Sequence, residues 1–358
     1  MHMKANKTFL AIAVVAILAV QLFTANALFA GQEKTQVVSL STPFGTSGYV
    51  ANSALEQVFK KAGSWVDFQI KETPGAMYMA KYFYQNKAAM MNGDIPQLIV
   101  NTSTGILGHV NDPRPPFQGF KGGMDQRAVF STHTALVLFT TFDLSIKDLK
   151  GLAGKKVGVN EKPRIFTGTL LHKPYFEKGL GIWDKVDWQM IGKINSKNAM
   201  LNNQIDAHSS TLSGALEIQE DGTLVCRKVA PATATMELLN SGKKLHYIDT
   251  DPEIIKKSYD FNVDMRVYPV LIKKGAHESI DRDIWARAVM GVYVVHESMP
   301  DEVVKEIIRV RYEHHKELAK FHAALGLWPE NPFPIGVPDK WLHPGVKKAM
   351  KELNIPMP

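Results

Sequence analysis

Val37-Val38-Ser39-Leu40-Ser41-Thr42-Pro43-Phe44-Gly45-Thr46-Ser47-Gly48-Tyr49 is the stretch on which the reading of this 358-residue chain turns. A short apolar run enters a Gly/Ser/Thr loop. From Tyr49 to Lys61 the apolar residues Val50, Ala54, Leu55, Val58 and Phe59 then recur at the spacing of one helix face. The unit is strand, loop, helix. It repeats at once: Phe68-Gln69-Ile70 reads as a strand, Thr73-Pro74-Gly75 as a turn, Ala76 to Met91 as a helix and Ile95 to Val100 as a third strand. This βαβαβ order predicts an open α/β sheet, whose ligands bind at the carboxyl ends of its strands.

Further along, Ala128 to Phe139 is a long extended run that could cross between lobes. Lys156 to Val159, Val186 to Ile191, Ile205 to Ser209 and Leu224 to Val229 supply a second α/β set, and Met290 to Val295 could return the chain to the first. A long helix begins near Ser298. Ser298-x-x-Asp301 fits a capping box, with Val303, Val304, Ile307 and Ile308 as the inner face. The expected division is lobe 1 over 31–134, lobe 2 over 135–288, and a return to lobe 1 with C-terminal helices over 289–358. The first 30 residues read as an export signal. Lys4 and Lys7 precede the apolar run Phe9 to Phe23, and cleavage is expected after Ala27 or Ala30. No later run is apolar over about 18 residues, so the chain left after cleavage is not expected to span a membrane.

Composition narrows the function. The formal net charge is +7, and the basic residues are scattered pairs such as Lys155-Lys156 and Lys243-Lys244. That argues against nucleic acid and suits long-range attraction of an anionic ligand. The lone Cys226 lies in an apolar run, so it is expected buried and inert. His314, His315 and His322 lack the spacing of a metal motif, and His133 and His208 lie in strand-like runs as structural residues. No nucleophile elbow, nucleophile–base pair or paired carboxylates is found. The expectation is a binding protein with no cofactor, no metal and no catalytic residues.

The candidate ligand-binding residues follow from the strand-to-helix loops. In the first lobe they are Thr42, Gly45, Thr46 and Ser47, then Thr73 and Gly75, then Asn101, Thr102 and Ser103. Hydroxyls and free N–H groups at helix starts favour a carboxylate or phosphate. In the second lobe Arg164, which can grip a carboxylate bidentately, leads into Thr167, Gly168 and Thr169, and Ser210 belongs to the hydroxyl cluster Ser209 to Thr211.

Five segments carry a resemblance. They are Phe44-Gly45-Thr46-Ser47-Gly48, Ile146-Lys147-Asp148-Leu149-Lys150-Gly151 before Lys155 to Val159, Asn202 to Ala207, Met299 to Val304, and Leu342-His343-Pro344-Gly345. Together they resemble the TAXI-type extracytoplasmic receptors of TRAP (tripartite ATP-independent periplasmic) transporters. The resemblance implies a two-lobed, periplasmic-binding-protein type II-like fold with open mixed sheets, a hinge and a ligand cleft between the lobes. It also implies a periplasmic location, and delivery of a small organic acid to a TRAP membrane permease. Relatives bind glutamate, 2-oxoglutarate and other carboxylates. Residue by residue, the family's site falls on Gly45, Thr46 and Ser47, and on Thr167, Gly168 and Thr169. Pro43-Phe44 and Arg164-Ile165-Phe166 depart from the glycine-rich pattern, which widens the expected ligand to larger or partly apolar acids. Trp183 and Tyr268 are conceivable pocket walls, though core positions fit them better. The alternatives are the binding subunit of an ABC importer for sulfonates, amines or a vitamin precursor, and an exported enzyme on the same scaffold.

Overall fold

The structure is a computed structural model that describes residues 34–42, 44, 47–111, 117–121, 123–160, 171–259 and 267–357. The segment read as an export signal lies outside the described residues. The chain forms β1 (Thr35–Ser41), α1 (Ser47–Lys61), β2 (Val66–Glu72), α2 (Ala76–Met91), β3 (Gln97–Ser103), α3 (Thr104–Asn111) and β4 (Gln126–Thr141). After these come β5 (Lys156–Val159), β6 (Asp187–Met190), α4 (Lys193–Leu201), β7 (Ala207–Ile218), β8 (Leu224–Pro231), α5 (Thr233–Leu239), β9 (His246–Ile248), α6 (Pro252–Ser258), β10 (Tyr268–Ile272) and β11 (Ile284–His296). The chain ends in α7 (Asp301–Glu313), α8 (His315–Phe321) and α9 (Pro344–Glu352). This is the expected two-lobed α/β fold with mixed sheets.

In the first lobe β2, β1 and β3 are parallel, and β11 joins antiparallel at β3. Alternation along β11 explains the layering. Tyr293 and Val295 face a core with Leu55, Val58 and Phe59 of α1, Val304 and Ile307 of α7, and Val346 and Met350 of α9. Val292 and Val294 face the opposite core with Phe83 and Met90 of α2 and Leu107 of α3. The period of two along a strand makes one sheet bury both its faces. Of the residues assigned to the inner face of α1, Ala54, Leu55, Val58 and Phe59 are buried, and Val50 is half-buried. Asn52 anchors this helix: its Oδ1 accepts from Ser39 Oγ at 2.9 Å and from Tyr293 Oη at 2.6 Å, all within the core. A buried amide bonded to two strands fixes how the helix lies on the sheet.

In the second lobe β6, β5 and β7 are parallel, and β4 and β9 extend the sheet antiparallel. A further ring closes by pairing: β4 with β7, β7 with β8, β8 with β10, β10 with β11, and β11 with β4. All five strands contribute to its interior, including Leu136, Leu212, Cys226, Val270 and Ala286. Closure removes free sheet edges on this side. Cys226 is buried there as expected, and burial pushes its thiol up to about 12, where it stays protonated and inert.

Two strands connect the lobes. β4 and β11 run antiparallel over almost their whole length. Residues 126–131 pair with 292–296 on the first-lobe side, and 134–137 pair with 287–290 on the second-lobe side. Between these blocks Thr132 and His133 stand opposite the single residue Gly291, a bulge that bends the pair at the passage between lobes. Only glycine fits at 291, because a Cβ there would lie 2.1 Å from Thr132 Oγ1 and 2.9 Å from the His133 carbonyl oxygen.

Two sequence details differ in the structure. The N-cap of α7 is Pro300 and has no side-chain cap, so Ser298 and Asp301 do not form a capping box. Ser298 Oγ instead meets His296 Nδ1 at 2.7 Å. The Pro300 ring keeps the preceding Met299 out of the helical region, so the helix starts two residues later than the box requires. The Leu342-to-Gly345 motif does have a local cause: His343 caps α9 by accepting from the Gly345 N–H at Nδ1, with Pro344 at the first helical position. Trp183, half-buried, stacks on Trp188 against the second-lobe core, and Tyr268 Oη donates to the Gly336 carbonyl at 2.8 Å.

We expect Gly291→Ala to destabilise the protein by about 1–3 kcal/mol through overpacking at the bulge. Adding Thr132→Ala should recover part of the loss in urea denaturation, and equal midpoints for the single and double variants would contradict this account. Burial holds His133 at about 4 and His208 at about 3, below the ordinary 6.5, so both rings are neutral when folded and gain protons on unfolding. Their stabilisation is therefore complete above about pH 6.5 and declines as the pH falls toward 4 and 3, by up to about 1.4 kcal/mol per pH unit for each ring. The pH dependence of the urea midpoint between 7 and 4 should flatten in His208→Gln, and an unchanged slope would show that the ring does not govern it.

Candidate functional site

The strand registers define where a ligand can be gripped from both lobes. β3 is antiparallel to β11 and ends with Ser103 opposite Gly291, so β1, β2 and β3 point their carboxyl ends at the crossing. On the other side β7 runs from Ala207 opposite Thr141 to Gly214 opposite Thr134, toward the same crossing. β5 and β6 are parallel to β7 and share its direction. The carboxyl edges of two sheets thus approach the Thr132–His133/Gly291 bulge from opposite sides. Helix starts and connecting loops gather at such edges, where backbone N–H groups are available to anions.

Several of the residues singled out from sequence lie on the first of these edges. Thr42 directly follows β1, and its Oγ1 rests over the first turn of α1, only 2.5 Å from where a Cβ on Gly48 would be. Glycine at 48 thus makes room for the Thr42 hydroxyl rather than for a ligand. Gly75 is the N-cap of α2. Asn101, Thr102 and Ser103, all half-buried, close β3, and Ser103 Oγ accepts from the Ile106 N–H at the start of α3. Thr73 also lies on this edge, but its hydroxyl is turned back: both its Oγ1 and its N–H donate to the Ser41 carbonyl, at 2.6 and 2.8 Å, clasping β2 to β1. Ser47 opens α1. Gly45, Thr46, Arg164, Thr167, Gly168 and Thr169 lie outside the described residues.

In the second lobe Ser210 is not brought to the edge. It is fully buried, with Oγ at 2.8 Å from Thr140 Oγ1 between β7 and β4. Its neighbour Thr211 faces differently, and accepts from Lys193 Nζ at 2.5 Å. Lys193 is the first residue of α4, so it brings an ammonium to the second-lobe edge beside the neutral ring of His208. Sequence reasoning passed over this lysine. The available signal was a Gly-Lys step between a strand and a helix.

A second missed group is Arg287, which is wholly buried on β11. Its Nη1 donates to the Leu171 carbonyl at 3.3 Å and to His172 Nδ1 at 3.1 Å. An arginine can only donate, so Nδ1 accepts and His172 carries its proton on Nε2, which donates to Ser209 Oγ at 3.2 Å. The guanidinium is walled by the rings of Tyr175, Phe139 and Phe176 at 5.1–5.8 Å, a cation–π enclosure that offsets part of its desolvation. This line of groups braces the second-lobe core from β11 to β7. A single arginine inside an apolar strand was its only trace in the sequence.

Among the described residues no group of His, Cys, Asp and Glu is arranged to hold a metal ion, and no helix is long and apolar enough to cross a membrane.

Comparison with solved structures finds distant likenesses at 11–13% identity. One is a TctC solute binding protein from Polaromonas (12% identity, TM-score 0.48, covering 89% of this chain and 88% of the other). Another is MatC from Rhodopseudomonas palustris, solved with bound malate (13%, TM-score 0.46, 89% and 97%). A third is a putative periplasmic sulfonate-binding protein of an ABC transporter from Methylobacillus flagellatus (11%, TM-score 0.48, 90% and 96%). No curated protein matches the chain. The NMT1-like family matches residues 114–353, from the crossing strands through the second lobe to the last helix, and the chain belongs to that family.

Proposed function

We propose that this chain is a solute receptor that works outside the cytoplasm, captures a small organic anion between its lobes and performs no chemistry on it. The observation that carries this reading is the convergence of two sheets' carboxyl edges on one crossing, with hydroxyls and helix starts on one side and Lys193 on the other. Such an arrangement binds by enclosure. Each edge supplies part of the hydrogen-bonding shell, and the ligand is sealed only when the lobes approach by bending at β4 and β11.

In this reading Thr42, Asn101, Thr102 and Ser103 face the ligand from the first lobe, with Gly45, Thr46 and Ser47 completing the loop. Lys193 and Thr211 face it from the second, joined by Arg164, Thr167, Gly168 and Thr169. The lobes are taken as 31–134 with 289–358, and 135–288, and the first 30 residues as the export signal. The finer assignment is to the TAXI receptors, with delivery to a TRAP-type permease. It rests on the five sequence segments that resemble that group, above all Leu342 to Gly345.

The test is a thermal-shift screen of the chain from Gly31 onward against carboxylates, sulfonates, amino acids and amines. A ligand at 100 times its dissociation constant adds about 2.7 kcal/mol, a readily visible rise in Tm. Carboxylates are expected to give the shift, and Lys193→Met should weaken the best of them about tenfold, the loss of one charge-assisted hydrogen bond. Shifts with amines alone would overturn the anion reading.

A further inference from the structure

Building on the anion-receptor reading, we propose that the ligand is a monocarboxylate with an apolar body, aromatic or branched, rather than a compact di- or tricarboxylate. The argument comes from what the two edges expose besides polar groups. Nine large hydrophobic side chains are exposed among the described residues, and four of them lie at these edges. Phe44, 78% exposed, follows β1, and Tyr78, 45% exposed, is in the first turn of α2. Ile191, 36% exposed, follows β6, and Ile194, 69% exposed, is in the first turn of α4. Solvent-facing apolar groups scattered over a surface need no explanation, but two pairs on facing edges of one cleft mark a binding surface.

The first-lobe pair is held in place. Phe44 packs edge-on against Tyr49 with ring centroids 5.2 Å apart, and its N–H donates to Glu72 Oε1 at 3.1 Å. Tyr78 stacks on Tyr82, which in turn accepts from Lys71 Nζ at 2.6 Å. Braced rings of this kind lose little conformational entropy when a ligand covers them.

Charge decides the rest. Lys193, next to Ile194, presents its ammonium on the second-lobe edge. The Glu72 carboxylate lies beside Phe44 on the first. A ligand spanning the cleft therefore meets a cation at one end, and at the other apolar surface with the Glu72 carboxylate beside Phe44 and the Lys71 ammonium already engaged by Tyr82. One carboxylate is favoured by Lys193. A second, carried toward Phe44, would be repelled by Glu72 and stripped of water against the rings. An apolar body satisfies that end of the cleft.

Isothermal titration of the chain with phenylacetate, 4-hydroxybenzoate and isovalerate on one side, and succinate, citrate and glutamate on the other, tests the proposal. The first group is expected to bind at least tenfold tighter. Phe44→Ala and Ile194→Ala should each weaken the best apolar acid about tenfold, the effect of removing a few buried methylenes. Phe321→Ala, an exposed phenylalanine away from both edges, should leave it unchanged. If a compact polycarboxylate or glutamate binds tightest, or if both edge variants bind the best acid as the parent does, the apolar-body inference fails while the anion receptor stands. If no carboxylate in either group binds, the apolar-body inference fails, and the receptor reading fails with it only where the thermal-shift screen finds no other organic anion either.

Discussion

The pairing of β4 with β11 is the constraint on which the rest depends. Both strands belong to both lobes: their first-lobe halves complete one sheet, and their second-lobe halves help to close a five-stranded ring. Strands bonded along their length resist sliding, because a shift by one residue would turn every buried side chain to the wrong face. Freedom remains only where pairing is interrupted. The interruption at Thr132–His133 opposite Gly291 lies between the two cores, where bending disturbs little packing. A second irregularity, between Tyr293 and Val294, lies one step into the first lobe.

The same pairing orients the site. Because β3 is antiparallel to β11 and β7 is antiparallel to β4, the parallel strands of the two lobes must run toward each other. Loops and helix starts from distant stretches, such as 41–48, 101–104 and 191–194, therefore collect around one crossing. No local signal in any of them could announce the others, since their proximity is a product of strand direction.

Buried polar groups keep this arrangement single-valued. Asn52 ties α1 to β1 and β11. Arg287 and His172 tie β11 to β7 through Ser209. Such groups contribute specificity because an alternative packing would leave them unpaired in a dry interior. They also explain why several hydroxyls that look available in the sequence are not. Those of Thr73 and Ser210 complete hydrogen bonds inside the sheets instead of reaching toward a ligand.

The sequence by itself determined the alternation of strands and helices, the helix faces and the strand-to-helix loops that carry the candidate binding residues. These are written in local periodicity and in loop composition. The inner faces of α1 and α7, the span of α2 and the extent of β5 could be read almost residue by residue. The order of strands and helices also implied two lobes with the first interrupted by the second, and the resemblance drawn from five short segments added the hinge and the cleft between them. Tertiary structure alone decided the closed ring of β4, β7, β8, β10 and β11, the bulge at Gly291, and the surroundings of Lys193 and Arg287. The physical reason is that each depends on what lies across a strand pair or across the cleft, more than a hundred residues away in places, and local patterning carries no record of such partners.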